Sequence, residues 1–140
     1  MRDPAEDRRA RLLVAEDDVK LGRRIVRVLE PDHDVVVVTN GREALDPIVG
    51  GERFDLVLCD LRLPGVTGMD LYERLHTIAP ELVGCMVFMT AGACTPEAAA
   101  FLGRPGIARL DKPFRLDELR RTVREHLARR SSSGGGEDRG

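Results

Sequence analysis

Leu56-Val57-Leu58-Cys59-Asp60 is the stretch on which the fold turns: four apolar residues in a row, stopped by a carboxylate. A strand with one wet face alternates apolar and polar side chains. Unbroken apolarity belongs instead to a strand covered on both faces, as in a mostly parallel sheet. Similar runs lie on either side, at Leu12 to Ala15, Val35 to Val38, Met86 to Met89 and, more weakly, Ile107 to Leu110. Their spacing leaves room for a helix between each pair, which makes a series of βαβ units.

The intervening segments carry the helical period. Leu21, Ile25, Val28 and Leu29 share one face of a first helix, and Leu71, Leu75 and Ile78 one face of a third. Leu116, Leu119, Val123 and Leu127 line a last helix whose other side bears Arg120, Arg121, Arg124 and Arg129, read as a solvated face. Asp18 is placed to cap the first helix, and Thr95-Pro96-Glu97 reads as the start of the fourth. The second helix, with Ala44, Leu45, Ile48 and Val49 on its apolar side, is expected to be short or kinked. Pro47 removes an amide donor there, and Gly50 and Gly51 stop it early. Five strands and five helices make a doubly wound α/β sheet, whose ligands bind beyond the carboxyl ends of the strands.

The 140 residues suit one domain, and 42% hydrophobic content is enough to bury a single core. Residues 1–10 read as a flexible N-terminal segment, 11–130 as the folded domain, and 131–140 as a disordered Ser/Gly-rich tail. With 22 basic and 24 acidic residues the formal charge is -2, which argues against direct nucleic-acid binding. No apolar run approaches the ~20 residues of a membrane span, and the charged start lacks a signal-peptide core, so a soluble cytoplasmic domain without membrane contact is expected. Cys59, Cys85 and Cys94 lack the spacing of a zinc site or a disulfide framework. They are read as reduced thiols, the first two as small buried hydrophobes and Cys94 as a loop residue.

The carboxyl end of each strand carries a residue with chemistry: Glu16 and Asp17 after the first, Asp60 after the third, Thr90 after the fourth and Lys112 after the fifth. Singly these are ordinary, since an Asp after a strand is most often a cap and a Lys is usually solvated. Jointly they converge on one edge. Three carboxylates in one crevice repel unless a cation neutralises them, and an open, oxygen-rich site suits Mg²⁺. Asp60 is then placed as a carboxylate nucleophile toward a phosphoryl group, with Thr90 and Lys112 available to hold phosphoryl oxygens.

The runs Leu13-Val14-Ala15-Glu16-Asp17-Asp18, Leu58-Cys59-Asp60-Leu61-Arg62-Leu63-Pro64-Gly65, Met89-Thr90-Ala91-Gly92 and Asp111-Lys112-Pro113-Phe114 resemble the four signature segments of response-regulator receiver domains, over about Arg11 to Arg129. The resemblance implies a flavodoxin-like sheet of order 2-1-3-4-5 and phosphorylation of Asp60. It implies metal binding through Glu16 (largely by way of water), Asp17, Asp60 and the backbone carbonyl of Arg62, with Thr90 as switch hydroxyl and Lys112 as phosphoryl-binding lysine. It also implies a cis Lys112-Pro113 bond. Gly65 and Gly68 suit the backbone freedom needed in the loop after Asp60.

The implied partner is a histidine kinase or a histidine phosphotransfer protein, with the downstream partner unspecified. The domain is read as a signalling module and not as an enzyme. An aspartyl-phosphate hydrolase needs an acid/base two residues beyond the nucleophile, where this chain has Arg62. A phosphorylation-independent pseudo-receiver is the alternative, opposed by the intact Asp60, Thr90 and Lys112. No effector domain is legible after the last helix, which leaves a stand-alone receiver or part of a larger protein. Arg109 and the Asp111 to Phe114 ending resemble receivers of hybrid histidine kinases. Arg109 also departs from the aromatic residue that many receivers carry three positions before the lysine. It is expected to stay on the surface, with phosphorylation reported through Thr90 and the loop from Ala91 to Thr95.

Overall fold

The structure, a computed structural model, describes residues 9–92 and 95–138, with side chains to residue 129. Five strands form one parallel sheet: β1 (Arg11–Ala15), β2 (Asp34–Val38), β3 (Leu56–Asp60), β4 (Met86–Thr90) and β5 (Ala108–Asp111). Their order is β2-β1-β3-β4-β5. The helices are α1 (Val19–Leu29), α2 (Gly41–Val49), α3 (Gly68–Ile78), α4 (Pro80–Val83), α5 (Pro96–Leu102) and α6 (Leu116–Asp138).

The two faces of the sheet bury separate cores, because successive side chains of a strand point to opposite sides. Leu12, Val14, Leu56, Leu58, Val87 and Met89 meet α1 and α6 through Ile25, Val28, Leu29, Leu119 and Val123. Leu13, Ala15, Val57, Cys59 and Phe88 face Ala44, Leu45, Leu71, Leu75 and Phe101 of the helices on the other side. Covering on both faces is why β1, β3 and β4 read as unbroken apolar runs. β2 and β5 are the edges, and Val37 of β2 is exposed.

Local signals explain most helix boundaries. Asp18 caps α1, its carboxylate accepting from the amides of Lys20 and Leu21 at 3.0 and 3.2 Å. Thr95 caps α5 through the Ala98 amide at 3.0 Å. α2 is short, as its proline and glycines predict: Gly51 takes φ +94°, its amide bonds Ile48 O, and the Glu52 amide bonds Pro47 O. These two bonds close the helix with the left-handed turn that glycine permits.

Five features differ from the sequence expectations. Val49, expected on the apolar side of α2, is 64% exposed at the last position of that helix, where the neighbouring layer no longer covers it. The single-turn helix α4 is additional, started by Pro80 directly after Ala79 ends α3. Ile78, expected on the buried face of α3, is 43% exposed because the chain turns away at that point. Leu116, expected beside Leu119 and Val123, is exposed at the first position of α6. Finally, α6 runs to Asp138, across residues read as a tail, since extending an existing helix adds a hydrogen bond for each residue fixed.

Cys59 and Cys85 are both buried, and burial pushes the Cys59 thiol strongly up, which keeps it protonated. Most of the N-terminal segment, residues 1–8, and Cys94 lie outside the described residues. No helix among the described residues is long and apolar enough to cross a membrane.

Candidate phosphoryl-acceptor site

Parallel strands end together, so the residues at their carboxyl ends meet. Oxygens from the carboxylates of Glu16, Asp17 and Asp60 lie within 4.8 Å of one another. Glu16 is fully buried, Asp60 is 8% exposed, and Asp17 is open to solvent. Lys112 arrives from the end of β5, its amide bonding Thr90 O at 2.7 Å. Its ammonium donates to Glu16 Oε1 at 2.6 Å and to Asp60 Oδ2 at 3.0 Å. The remaining oxygens of both acids are also held. Asp60 Oδ1 accepts from the Arg62 amide at 3.1 Å, and Glu16 Oε2 from the Asp18 amide at 3.1 Å.

The electrostatics follow from this crowding. Burial pushes Glu16 from its ordinary 4.5 up to about 7, the Lys112 and Asp18 hydrogen bonds pull it back, and Asp60 adds repulsion. Burial alone would lower Lys112, but its hydrogen bonds to Glu16 and Asp60, and their charges, raise it. One ammonium thus serves two carboxylates while a third stands at the mouth of the crevice. An all-oxygen donor set with surplus negative charge fits a hard divalent cation.

Thr90 is nearly buried at the end of β4. Its hydroxyl donates to the Gly92 carbonyl at 3.1 Å and accepts from the Gly92 amide at 3.0 Å, so it is engaged within its own loop. Arg62 turns its side chain to solvent while its main chain lies beside Asp60. Arg109 is exposed and paired with Asp111 at 3.2 Å. Ala91, Gly92 and Thr95 of the expected reporting loop are described, and the two residues between them are not. The Lys112-Pro113 bond is cis.

Sequence reasoning missed the direct bridge from Lys112 to Glu16, which joins residues 96 apart and leaves no local pattern. It also assigned Gly65 and Gly68 the same role. Gly65 does take φ +72°, whereas Gly68 is needed for space: a Cβ there would lie 2.7 Å from Asp60 O.

The family model for the response regulator receiver domain matches residues 12–124. The chain belongs to that family. Among its curated relatives, this receiver is 37% identical over 123 residues to the response regulator protein PmrA of Pseudomonas aeruginosa, covering 87% of this chain and 54% of the relative. It is 35% identical over 110 residues to the transcriptional regulatory protein TcrA of Mycobacterium tuberculosis, covering 78% and 42% respectively. The receiver therefore spans about half or less of the length of these relatives. A solved CheY-like receiver domain from Methanospirillum hungatei superposes with a TM-score of 0.79 at 26% identity, covering 90% of this chain and 99% of that one. The flavodoxin-like strand order expected of a receiver is the order found.

The acid pair also makes a local prediction, since Asp17 opens onto the crevice whereas Asp18 spends its carboxylate on the α1 amides. If this acidic cluster holds Mg²⁺, Asp17→Ala should weaken its binding by at least the roughly tenfold that losing a residue supporting a ligand costs. Asp18→Ala should change it little and instead cost about 1 kcal/mol of stability through the lost cap. Metal titration and thermal melting of the two variants separate these effects; equal losses of affinity would show the acid pair misplaced.

Proposed function

We propose that this receiver accepts a phosphoryl group on Asp60 in a Mg²⁺-dependent reaction and changes conformation to signal. The observation that carries the reading is the Asp60 carboxylate held between the Arg62 amide and the Lys112 ammonium, with Glu16 and Asp17 alongside. Glu16, Asp17, Asp60 and the Arg62 carbonyl would hold the ion, which supplies positive charge for the phosphoryl oxygens when bound.

Asp60 is aimed by its neighbours, which is most of what phosphoryl transfer asks of a protein. A carboxylate oxygen of Asp60 bonds to phosphorus as the bond from phosphorus to the donor breaks. The leaving group keeps that electron pair: with a phosphohistidine donor, the imidazole nitrogen. Lys112 then exchanges its contact with the Asp60 carboxylate for one with a phosphoryl oxygen. Thr90 reaches another by giving up its bonds to Gly92, and that release carries the change into the loop before α5. Arg109, charged and paired at the surface, stays outside this rearrangement.

The donor is a histidine kinase or a histidine phosphotransfer protein in the cytoplasm, and the receiver works alone or as a module of a larger protein such as a hybrid kinase. The acceptor is the protein's own side chain, so the domain is a signalling module and not an enzyme acting on a separate substrate. Incubation with acetyl phosphate and Mg²⁺ tests the reading. Intact-mass measurement should show the gain of one phosphoryl group, suppressed by a chelator. A chain that gains no mass, or gains it equally without Mg²⁺, would overturn the proposal.

A further inference from the structure

Gly41 opens α2 on the far side of β1 from the phosphoryl-acceptor strand, yet it touches the loop that follows Asp60. A Cβ built on Gly41 would lie 2.0 Å from the Val66 carbonyl oxygen, 2.7 Å from Val66 Cβ and 2.8 Å from Val66 C. These are backbone and Cβ atoms, with no side-chain tip to swing aside. Gly41 is buried, and its φ is not in the left-handed region, so its requirement for glycine is one of space.

We propose that Gly41 is a positioning residue of the phosphoryl-acceptor site, setting the height of the loop after Asp60 through the absence of its side chain. The inference rests on the reading of Asp60 as phosphoryl acceptor. Neither side of the contact yields easily. The start of α2 is held by Asn40, which accepts from the Glu43 amide at 2.9 Å, and by Glu43, which accepts from the Thr39 amide and hydroxyl at 3.1 Å each. Ala44, Leu45 and Ile48 anchor the same helix in the core.

On the loop side, the Leu61 amide bonds Met89 O at 2.9 Å and the Gly68 amide bonds Leu61 O at 3.1 Å. Thr67 and Asp70 cap each other at the start of α3. Only the middle of the loop is left to move. Bringing the Val66 oxygen from 2.0 Å to the 3.0 Å that a real Cβ needs is a displacement of 1.0 Å or more. It falls on the segment whose Arg62 amide holds Asp60 Oδ1. A shift of that size at a reacting group costs up to about a hundredfold in rate.

The test compares Gly41→Ala with Gly22→Ala in the full chain. Both replace a buried helical glycine, but a Cβ at Gly22 meets only Val37 Cγ1, at an ordinary 3.6 Å. Mg²⁺ affinity of the unphosphorylated protein and the rate of labelling by acetyl phosphate are measured beside a thermal melt. Gly41→Ala should weaken Mg²⁺ binding and slow labelling by about ten- to a hundredfold, with the loss in maximal rate, while Gly22→Ala matches the wild type in both. A folded Gly41→Ala with affinity and rate within twofold of wild type overturns the positioning role. Should Gly41→Ala not fold, Val66→Gly loosens the loop from its other side without the clash. It should lower affinity and rate in the same direction, and unchanged values for it overturn the proposal. Wild type that takes no label overturns the acceptor reading itself and the inference with it.

Discussion

Asp60→Asn is expected to abolish phosphoryl uptake completely while leaving a folded protein. An amide oxygen carries no full negative charge to attack phosphorus, and the site offers no second carboxylate in the same position. Glu16 is buried with both oxygens engaged, and Asp17 belongs to a different loop. The fold is expected to survive because Lys112 keeps its 2.6 Å bond to Glu16. Removing the Asp60 charge also relieves the repulsion that helps raise Glu16, so the Glu16 carboxyl should titrate lower in the variant. Intact-mass measurement after incubation with acetyl phosphate and Mg²⁺ checks the first expectation. Labelling at the wild-type level would remove Asp60 from the acceptor role.

Lys112→Ala has the second largest expected effect, and it acts on stability as well as chemistry. The lysine is the cation for a fully buried Glu16 and a nearly buried Asp60. Deleting one partner of such a group strands the other's charge, at a cost of about 3 kcal/mol in the metal-free protein at pH 8. The pH dependence has a definite sign. A carboxyl raised from 4.5 to about 7 binds its proton more tightly in the folded state than in the unfolded one. Its contribution to stability therefore falls as pH rises from about 4.5 to about 7. Without Lys112 the Glu16 value rises further, so the deficit of the variant should be smallest below about pH 7, where Glu16 is protonated in both proteins, and should grow as the pH rises above it.

If the site takes Mg²⁺ as proposed, the ion should restore much of the loss, because it would draw on the same carboxylates as Lys112. At about a hundred times its dissociation constant, a bound ion stabilises by roughly 2.7 kcal/mol. Denaturant melts at pH 6 and 8, with and without Mg²⁺, read these terms separately. Equal stability of the variant and wild type at pH 8 without metal would show that the Lys112 bridge contributes nothing to the fold. Labelling by acetyl phosphate should also slow, since a donor to the phosphoryl oxygens is gone.

Much of this molecule was legible before any coordinates. β1, β3 and β4 announced themselves as unbroken apolar runs because both faces of each are covered. The α1 and α5 starts were readable from Asp18 and Thr95 because capping is a contact within four residues. The end of α2 was readable from Gly50 and Gly51 for the same reason. Ile78 and Leu116 misled for the opposite reason. A helical period says which side chains share a face but not how far along the helix the neighbouring layer extends, and both lie at helix ends. The extra turn α4 followed from Pro80 starting a helix where the sequence showed too short a pattern to count.

By itself, the sequence determined which residues stand at the carboxyl ends of the strands, and hence the acids, the hydroxyl and the lysine of the site. Strand periodicity and the rule for ligands of open α/β sheets are local or topological, and they survive without knowledge of packing. Tertiary structure alone decided how those groups share their charge: Lys112 on both Glu16 and Asp60, Arg62 on Asp60, and Thr90 turned into its own loop. It alone showed that Gly41 and Gly68 are there for their missing side chains, one beneath the Val66 carbonyl and the other against Asp60 O. Such contacts join residues distant in the chain at separations of a few ångströms. Nothing in the period or the spacing of a sequence encodes a distance between segments that meet only after the sheet has formed.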